Sequence, residues 1–323
     1  MNHTDRIQPR TIILNPEQRE WIHTRSLQIL STVGVRVDSE PARLLFVRAI
    51  GPSAIDEDRV RIPPELVEWA LRAAPSSLEI YDRSGTSAFH LPGPTRFGVG
   101  VTALYYQDPE TDQVTPFTRH HMALSVRLAD TLPNFDLIST IGIVQDVPAD
   151  RSDLYATLEM TANTVKPLVI LVSEDEAFPA VLDLLEYLHG DLAVRPSIIP
   201  YFNPITPLVI NRGTAVKMFV TIERGLPFIY SNYGMAGAST PITAAGSLVL
   251  LNAELLAGLT LSQLIREGTP IILGSLPAFF DMKGMGSFYD AHSYLVDLAC
   301  AEMMAHYQIP HAGTSGAGMG WGA

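Results

Sequence analysis

The chain has 323 residues, more than one small domain needs and enough for a (β/α) barrel of roughly 200–250 residues plus an added segment. Hydrophobic residues make up 47% and charged residues 17%, with a mean hydropathy of +0.17, which excludes a disordered tail. Lys plus Arg total 22 against 34 Asp plus Glu, a net charge of −12, so neither nucleic acid nor an anionic membrane is an expected partner. The single cysteine, Cys300, excludes an intrachain disulfide and a two-thiolate metal site; its apolar neighbours mark it as a small buried residue. The polar start MNHTDRIQPR lacks the apolar stretch of a signal peptide, and a cytoplasmic location is expected.

The first 92 residues read as a mainly helical cap. Asn15-Pro16 is an N-cap followed by proline at the first helical position, opening an amphipathic helix that ends near Gly34. Ser39 and Pro41 open a second helix, stopped at Gly51-Pro52. Arg59–Ile62 is a short strand, Pro63-Pro64 starts a third helix, and Leu78–Tyr81 is another strand. Turn residues from Ser84 to Pro94 mark the boundary.

From residue 93 to 323 apolar runs bounded by Gly or Pro alternate with helical segments. The expected strands are Arg96–Tyr106, Phe135–Gln145, Pro167–Val172, Pro196–Pro200, Pro227–Ser231, Pro270–Ser275 and Pro310–Gly313. Between them lie the expected helices Arg119–Thr131, Ser152–Thr164, Glu174–His189, Arg212–Arg224, Ile242–Arg266 and Tyr289–His306. Ala244–Leu261 has the length of a membrane span, but Asn252 and Glu254 within it point to a buried helix. Alternation of this kind predicts parallel strands joined by right-handed crossovers. About seven strands at this spacing fit an α/β fold of the TIM (β/α)8 type, incomplete, under an N-terminal helical cap. Gly313–Gly318 is glycine-rich but lacks the P-loop lysine and a following helix.

A parallel barrel carries its site at the C-terminal ends of its strands, which selects Tyr105, Tyr201, Tyr230, Phe280, Asp281, His311 and Ser315 with their neighbours. Aromatic rings with a few carboxylates suit a quaternary ammonium ion, which has no N–H to donate and binds through cation–π and Coulomb attraction; rings packed under loops would look the same. Glu254, inside an apolar helix, is costly to bury unless it is paired or used. The histidines form no metal set: His120 and His121 are adjacent, and His292 and His306 lie fourteen residues apart.

The ordered motifs Ile22-His23, Gly34-Val35-Arg36-Val37, Arg61-Ile62-Pro63 and Ala70-Leu71-Arg72-Ala73-Ala74-Pro75 resemble the trimethylamine methyltransferase (MttB) family. The resemblance continues in Gly237-Ala238-Ser239-Thr240-Pro241, Asn252-Ala253-Glu254-Leu255-Leu256-Ala257-Gly258, Phe280-Asp281-Met282-Lys283 and Ala312-Gly313-Thr314. It implies a TIM barrel that moves a methyl group from a methylated amine to the Co(I) centre of a separate corrinoid protein, with cobalamin supplied by that partner and none bound directly. Archaeal members carry pyrrolysine at the position aligned with Ser315, so the serine implies a member without pyrrolysine, acting on a quaternary amine such as glycine betaine. A quaternary ammonium already has a neutral amine as leaving group. The protein then needs to bind the cation, orient one methyl group and exclude water.

The matched motifs make Glu254, Asp281 and Ser315 the expected catalytic residues. Barrel position makes Tyr105, Tyr201, Tyr230, Phe280 and His311 the expected substrate contacts, with no metal ligand. Two other readings stay open: a quaternary-amine binding or sensing protein on the same barrel, and a lyase or hydrolase using Asp281 and His311 as acid and base. A barrel with a helical cap also suits a homo-oligomer. The family is longer on the C-terminal side, and no closing helix follows Gly318, so a partial barrel with exposed strand edges is expected.

Overall fold

The computed structural model describes residues 11–313. Asn15 caps the first helix, α1 (Pro16–Thr32): its side chain accepts the Gln18 N–H at 2.8 Å, and Gln18 accepts the Asn15 N–H at 2.9 Å, a reciprocal capping box. Next come β1 (Val35–Val37), α2 (Glu40–Ile50), the strands β2 (Ile55–Asp56) and β3 (Arg59–Val60), and α3 (Pro64–Ala73). Two hairpins follow, β4 (Leu78–Tyr81) with β5 (Ser87–Leu91), and β6 (Tyr105–Gln107) with β7 (Val114–Pro116).

The alternating part then runs α4 (Arg119–Thr131), β8 (Ile138–Ser139), α5 (Ser152–Asn163), β9 (Leu168–Ile170), α6 (Phe178–His189), β10 (Ile198–Phe202), β11 (Val209–Ile210), α7 (Arg212–Glu223), β12 (Phe228–Ala236), α8 (Ala244–Ile265), β13 (Ile271–Asp281), β14 (Gly286–Phe288), α9 (Ala291–Tyr307) and β15 (His311–Ala312). Strands β8, β9, β10, β12, β13 and β15 pair in that order, all parallel. The result is a curled, partial (β/α) barrel wrapped by its helices. Among the described residues the sheet stays open between β15 and the segment before β6.

Four expected strands differ clearly in extent. Phe135–Gln145 keeps only Ile138–Ser139 as a ladder. Arg96–Tyr106 meets the sheet only through the parallel bridges Gly98–Leu137 and Ala103–Gly142. Thr102 takes φ 54°, a left-handed conformation that breaks a ladder. In the other direction, β12 and β13 run 9 and 11 residues, well past the apolar runs. They pair continuously from Phe228–Ile271 to Ala236–Phe279, carrying the wall upward beyond the barrel proper.

Strand alternation divides the core in two. Ile138, Leu168, Ile170, Ile198, Phe202, Phe228, Tyr230, Ile271 and Leu273 face outward into one cluster with the helices. Val169, Ile199, Ile229 and Ile272 face inward, where Ile80 and Phe89 of the β4–β5 hairpin pack against them. That hairpin is pinned at the N-terminal end of the barrel by Tyr81 N–H to Pro196 O and Arg83 N–H to Val165 O, both 2.9 Å. The barrel is therefore plugged at one end and open at the other.

Helix α8 is buried along almost its whole length, between β12–β13 and the cap helices α1, α2 and α3. Among the described residues it is the helix long and apolar enough to cross a membrane, and 89% of that stretch is buried inside the fold. The cap is tied to it: β1 pairs in parallel with β11, Ser26 Oγ donates to Val249 O, and Asn252 Nδ2 donates to Ser26 Oγ, each at 2.9 Å. Gly258 lets α8 lie directly on β12, since a Cβ there would sit 2.2 Å from the Tyr230 ring. Gly258→Ala is expected to lower stability by about 1–3 kcal/mol, measured as a lower urea midpoint with an unchanged slope.

Candidate functional site

The open, C-terminal end of the barrel collects aromatic side chains. Tyr201 on β10 shares the inward face of Ile199, and Ser231 and Tyr233 on β12 share that of Ile229. Phe280 lies on the same side of β13 as Ile272 and Gly274. Tyr289, just before α9, forms a hydrogen bond with Tyr233; burial and then the two neighbouring phenols, Tyr233 and Tyr201, push its own phenol up. Burial likewise raises Tyr201, so the Tyr201 and Tyr289 phenols are neutral at physiological pH. Tyr201, Tyr233, Phe280 and Tyr289 are each half-buried, with part of each ring surface accessible. Beneath them the Ser231 hydroxyl is 1% exposed and lies against the Tyr201 phenol. An aromatic mouth above a buried hydroxyl can hold an organic cation bearing a polar tail.

Glu254 lies behind this wall, 2% exposed on α8. Its Oε1 accepts the Leu208 N–H at 2.6 Å, and its Oε2 accepts Thr206 Oγ1 and Asn232 Nδ2, each at 2.8 Å. Asn232 in turn accepts the Ser275 hydroxyl at 2.5 Å. One carboxylate thus joins α8, the loop after β10 and the middle of β12, immediately behind Ser231 and Tyr233. Its bonds go to Thr206, Leu208 and Asn232, so the carboxylate expected at the reacting centre sits behind the wall of the mouth.

Burial pushes the Glu254 carboxyl up to about 7, against the three donors that favour its charge. Between its ordinary value of 4.5 and about 7, the folded protein holds a proton that the unfolded chain has released. Stability from this group therefore falls as pH rises through that window. Wild type is expected to lose more stability than Glu254→Gln between about pH 5 and pH 7.5 in urea titrations; parallel curves would refute this. Glu254→Ala, which leaves three buried donors unpaired, should cost about 3 kcal/mol or more.

The other expected site residues are dispersed. Tyr230 is fully buried with its ring against Gly258 of α8, on the outward face of β12, so strand alternation removes it from the cage. His311 also faces outward: its neighbour Ala312 packs with the inward cluster, while His311 lies beside Asp297 of α9 at Gly313. Burial holds the His311 imidazole down at about 4 and raises the Asp297 carboxyl to about 7, which leaves His311 uncharged and away from the barrel floor. Asp281 is exposed and accepts the N–H groups of Lys283 and Gly284 at 2.9 and 3.1 Å, capping the turn that joins β13 to β14. Tyr105 is 63% exposed on the β6–β7 hairpin. Ser315 lies outside the described residues. Tyr289 is the member that sequence position did not single out. Tyr233 was legible as a rim residue, but Tyr289 marked only a helix start. Among the described residues no group of three or more His, Cys, Asp or Glu could hold a metal, and Cys300 is buried.

Fold and mouth together define a (β/α)-barrel protein whose open end offers an aromatic lining. The chain belongs to the trimethylamine methyltransferase (MTTB) family, whose profile matches residues 1–320. It is 28% identical over 302 residues to trimethylamine methyltransferase MttB of Desulfitobacterium hafniense strain DCB-2, covering 91% of this chain and 60% of that protein. It is 28% identical over 310 residues to glycine betaine methyltransferase of Desulfitobacterium hafniense strain Y51, covering 94% and 64%. The chain therefore spans less than two thirds of the length of these relatives. The solved structure of the hydroxylamine complex of MtmB superposes with a TM-score of 0.62 at 7% identity, over 93% of this chain and 62% of that one, a likeness of fold.

Proposed function

We propose that this chain forms the amine-binding part of a corrinoid-dependent methyltransferase that takes a quaternary amine of the glycine betaine type. The observation that carries this is the convergence of Tyr201, Tyr233 and Tyr289 at the open end of the barrel. Their rings offer cation–π contacts, worth about 0.5–2 kcal/mol each, to an ammonium that cannot donate a hydrogen bond. The buried Ser231 hydroxyl below them is the donor for a substrate carboxylate. The β4–β5 plug closes the far end, so the amine does not pass through the floor of the barrel.

The cobalt of a corrinoid partner would supply the nucleophile that takes the methyl group. Such a partner is supported by the rim: Leu104, Ile205, Ile242, Met282 and Met285 on loops, and Tyr105 on the β6–β7 hairpin, are all exposed, apolar surface of the kind that docks another protein. The side chains of this chain bind, orient and shield the amine; the tertiary amine released is a neutral leaving group that needs no general acid.

The test is to incubate the full chain with glycine betaine and either cob(I)alamin or a reduced corrinoid protein, and to follow loss of the N-methyl proton signal. Demethylation of betaine is expected. Tyr201→Ala and Tyr233→Ala should each weaken betaine binding by about tenfold, read by calorimetry. Binding without demethylation would instead identify a quaternary-amine binding protein, and turnover of an unrelated substrate alone would overturn the proposal.

A further inference from the structure

We infer that the plugged end of the barrel carries a second site, for a small dianion of the phosphoryl type, held between Arg83 and Arg195. A cleft of about 340 Å³ opens there between the turn of the β4–β5 hairpin and the connection from α6 to β10, lined by Arg83, Ser84, His189, Arg195 and Ser197 among others. It lies at the end of the barrel opposite the tyrosine mouth and shares no residue with it.

The cleft lining carries two guanidinium groups and two carboxylates, a formally neutral patch on a chain whose net charge is −12. Neither guanidinium makes a hydrogen bond or ion pair among the described residues. Two carboxylates line the same cleft, but both are committed to their own turns. Asp82 accepts the Ser84 hydroxyl at 2.6 Å and the Thr86 N–H at 2.9 Å. Asp191 accepts the N–H groups of Ala193 and Val194 at 3.2 and 3.3 Å. His189 is bonded to Ser197 through Nδ1 at 2.8 Å; burial, and then the charge of Arg83, hold it down at about 4, so it adds no charge near neutral pH. The N–H donors of both guanidinium groups remain unpaired, while the two carboxylates spend their acceptor oxygens on their own turns.

The geometry brings the two arginines together. Arg83 sits on a backbone pinned to Val165. Gly85, at φ +82°, leaves room for Arg195, whose Nη1 lies 2.9 Å from where a Cβ would be. The Arg195 guanidinium therefore folds over the turn that carries Arg83. Two planar forks around one cleft match an oxyanion with several acceptor oxygens. A phosphoryl group offers each fork its own pair of acceptor oxygens, which a single carboxylate does not. Binding would rivet the hairpin plug to the base of β10, and through it the strands that carry Tyr201 and Tyr233.

The test is thermal unfolding of the full chain in inorganic phosphate, acetate or chloride at matched ionic strength near neutral pH, with a calorimetric phosphate titration. Phosphate is expected to raise the midpoint above its chloride value and to bind saturably, with acetate matching chloride. Arg195 is exposed and its side chain makes no bond in the fold, so Arg195→Gln should fold normally and bind phosphate about tenfold to a hundredfold more weakly; Arg83→Gln should do the same. The inference fails if phosphate shifts the midpoint no more than chloride, if acetate shifts it equally, or if both variants keep the wild-type affinity.

Discussion

The burial of α8 is the constraint on which the rest of the structure depends. A helix apolar on every side must be covered on every side, and here the barrel wall covers one side and the three cap helices the other. Its polar residues must then find partners in a low-dielectric interior. Asn252 and Glu254, two positions apart, project to different sides of the helix. Asn252 donates to Ser26 of the cap and to Tyr307 of α9, at 2.9 and 3.0 Å. Glu254 accepts from the β10 loop and β12. One turn of helix thus fixes the cap, the last helix and the two strands that carry the mouth tyrosines.

The same wiring continues outward from Asn252. Tyr307 lies 3.0 Å from His23 Nδ1, and His23 Nε2 lies 2.7 Å from Glu68 of α3. At the other end of the cap, Glu302 of α9 accepts the N–H groups of Ile13 and Leu14, each at 2.8 Å. The N-terminal segment and the barrel therefore share one apolar core laced by polar contacts that span nearly the whole chain. A mouth assembled from β10, β12 and the start of α9 holds its shape because those elements meet on this common support.

The helices were the most legible part of the fold. Arg119–Thr131 matches its expected bounds, and the helices from Ser152, Arg212 and Ala244 begin and end within two residues of theirs, because caps and periodicity are local signals. The strands were legible in position and less so in length. The extension of β12 and β13 rests on their pairing with each other, a long-range contact that no short run of residues encodes, and the fraying of 96–106 follows from a left-handed residue that composition does not announce. The site was legible in kind. Aromatics at the strand ends were expected, and Tyr201 and Phe280 are there, but Tyr230 and His311 fell to the wrong side of their strands. Strand ends are uncertain by a residue, and one residue reverses the face.

The sequence by itself determined the class of fold, the order of its elements, the buried character of α8 and the family resemblance. These depend on periodicity, caps and motifs read along the chain. Only the tertiary structure decided that Tyr233 and Tyr289 join Tyr201, that Glu254 supports the site from behind, and that the β4–β5 hairpin closes one end of the barrel. Each of these is a matter of which face a residue presents and what lies across from it. Those are set by the closing of the sheet and the packing of α8, forces that act between residues far apart in the chain.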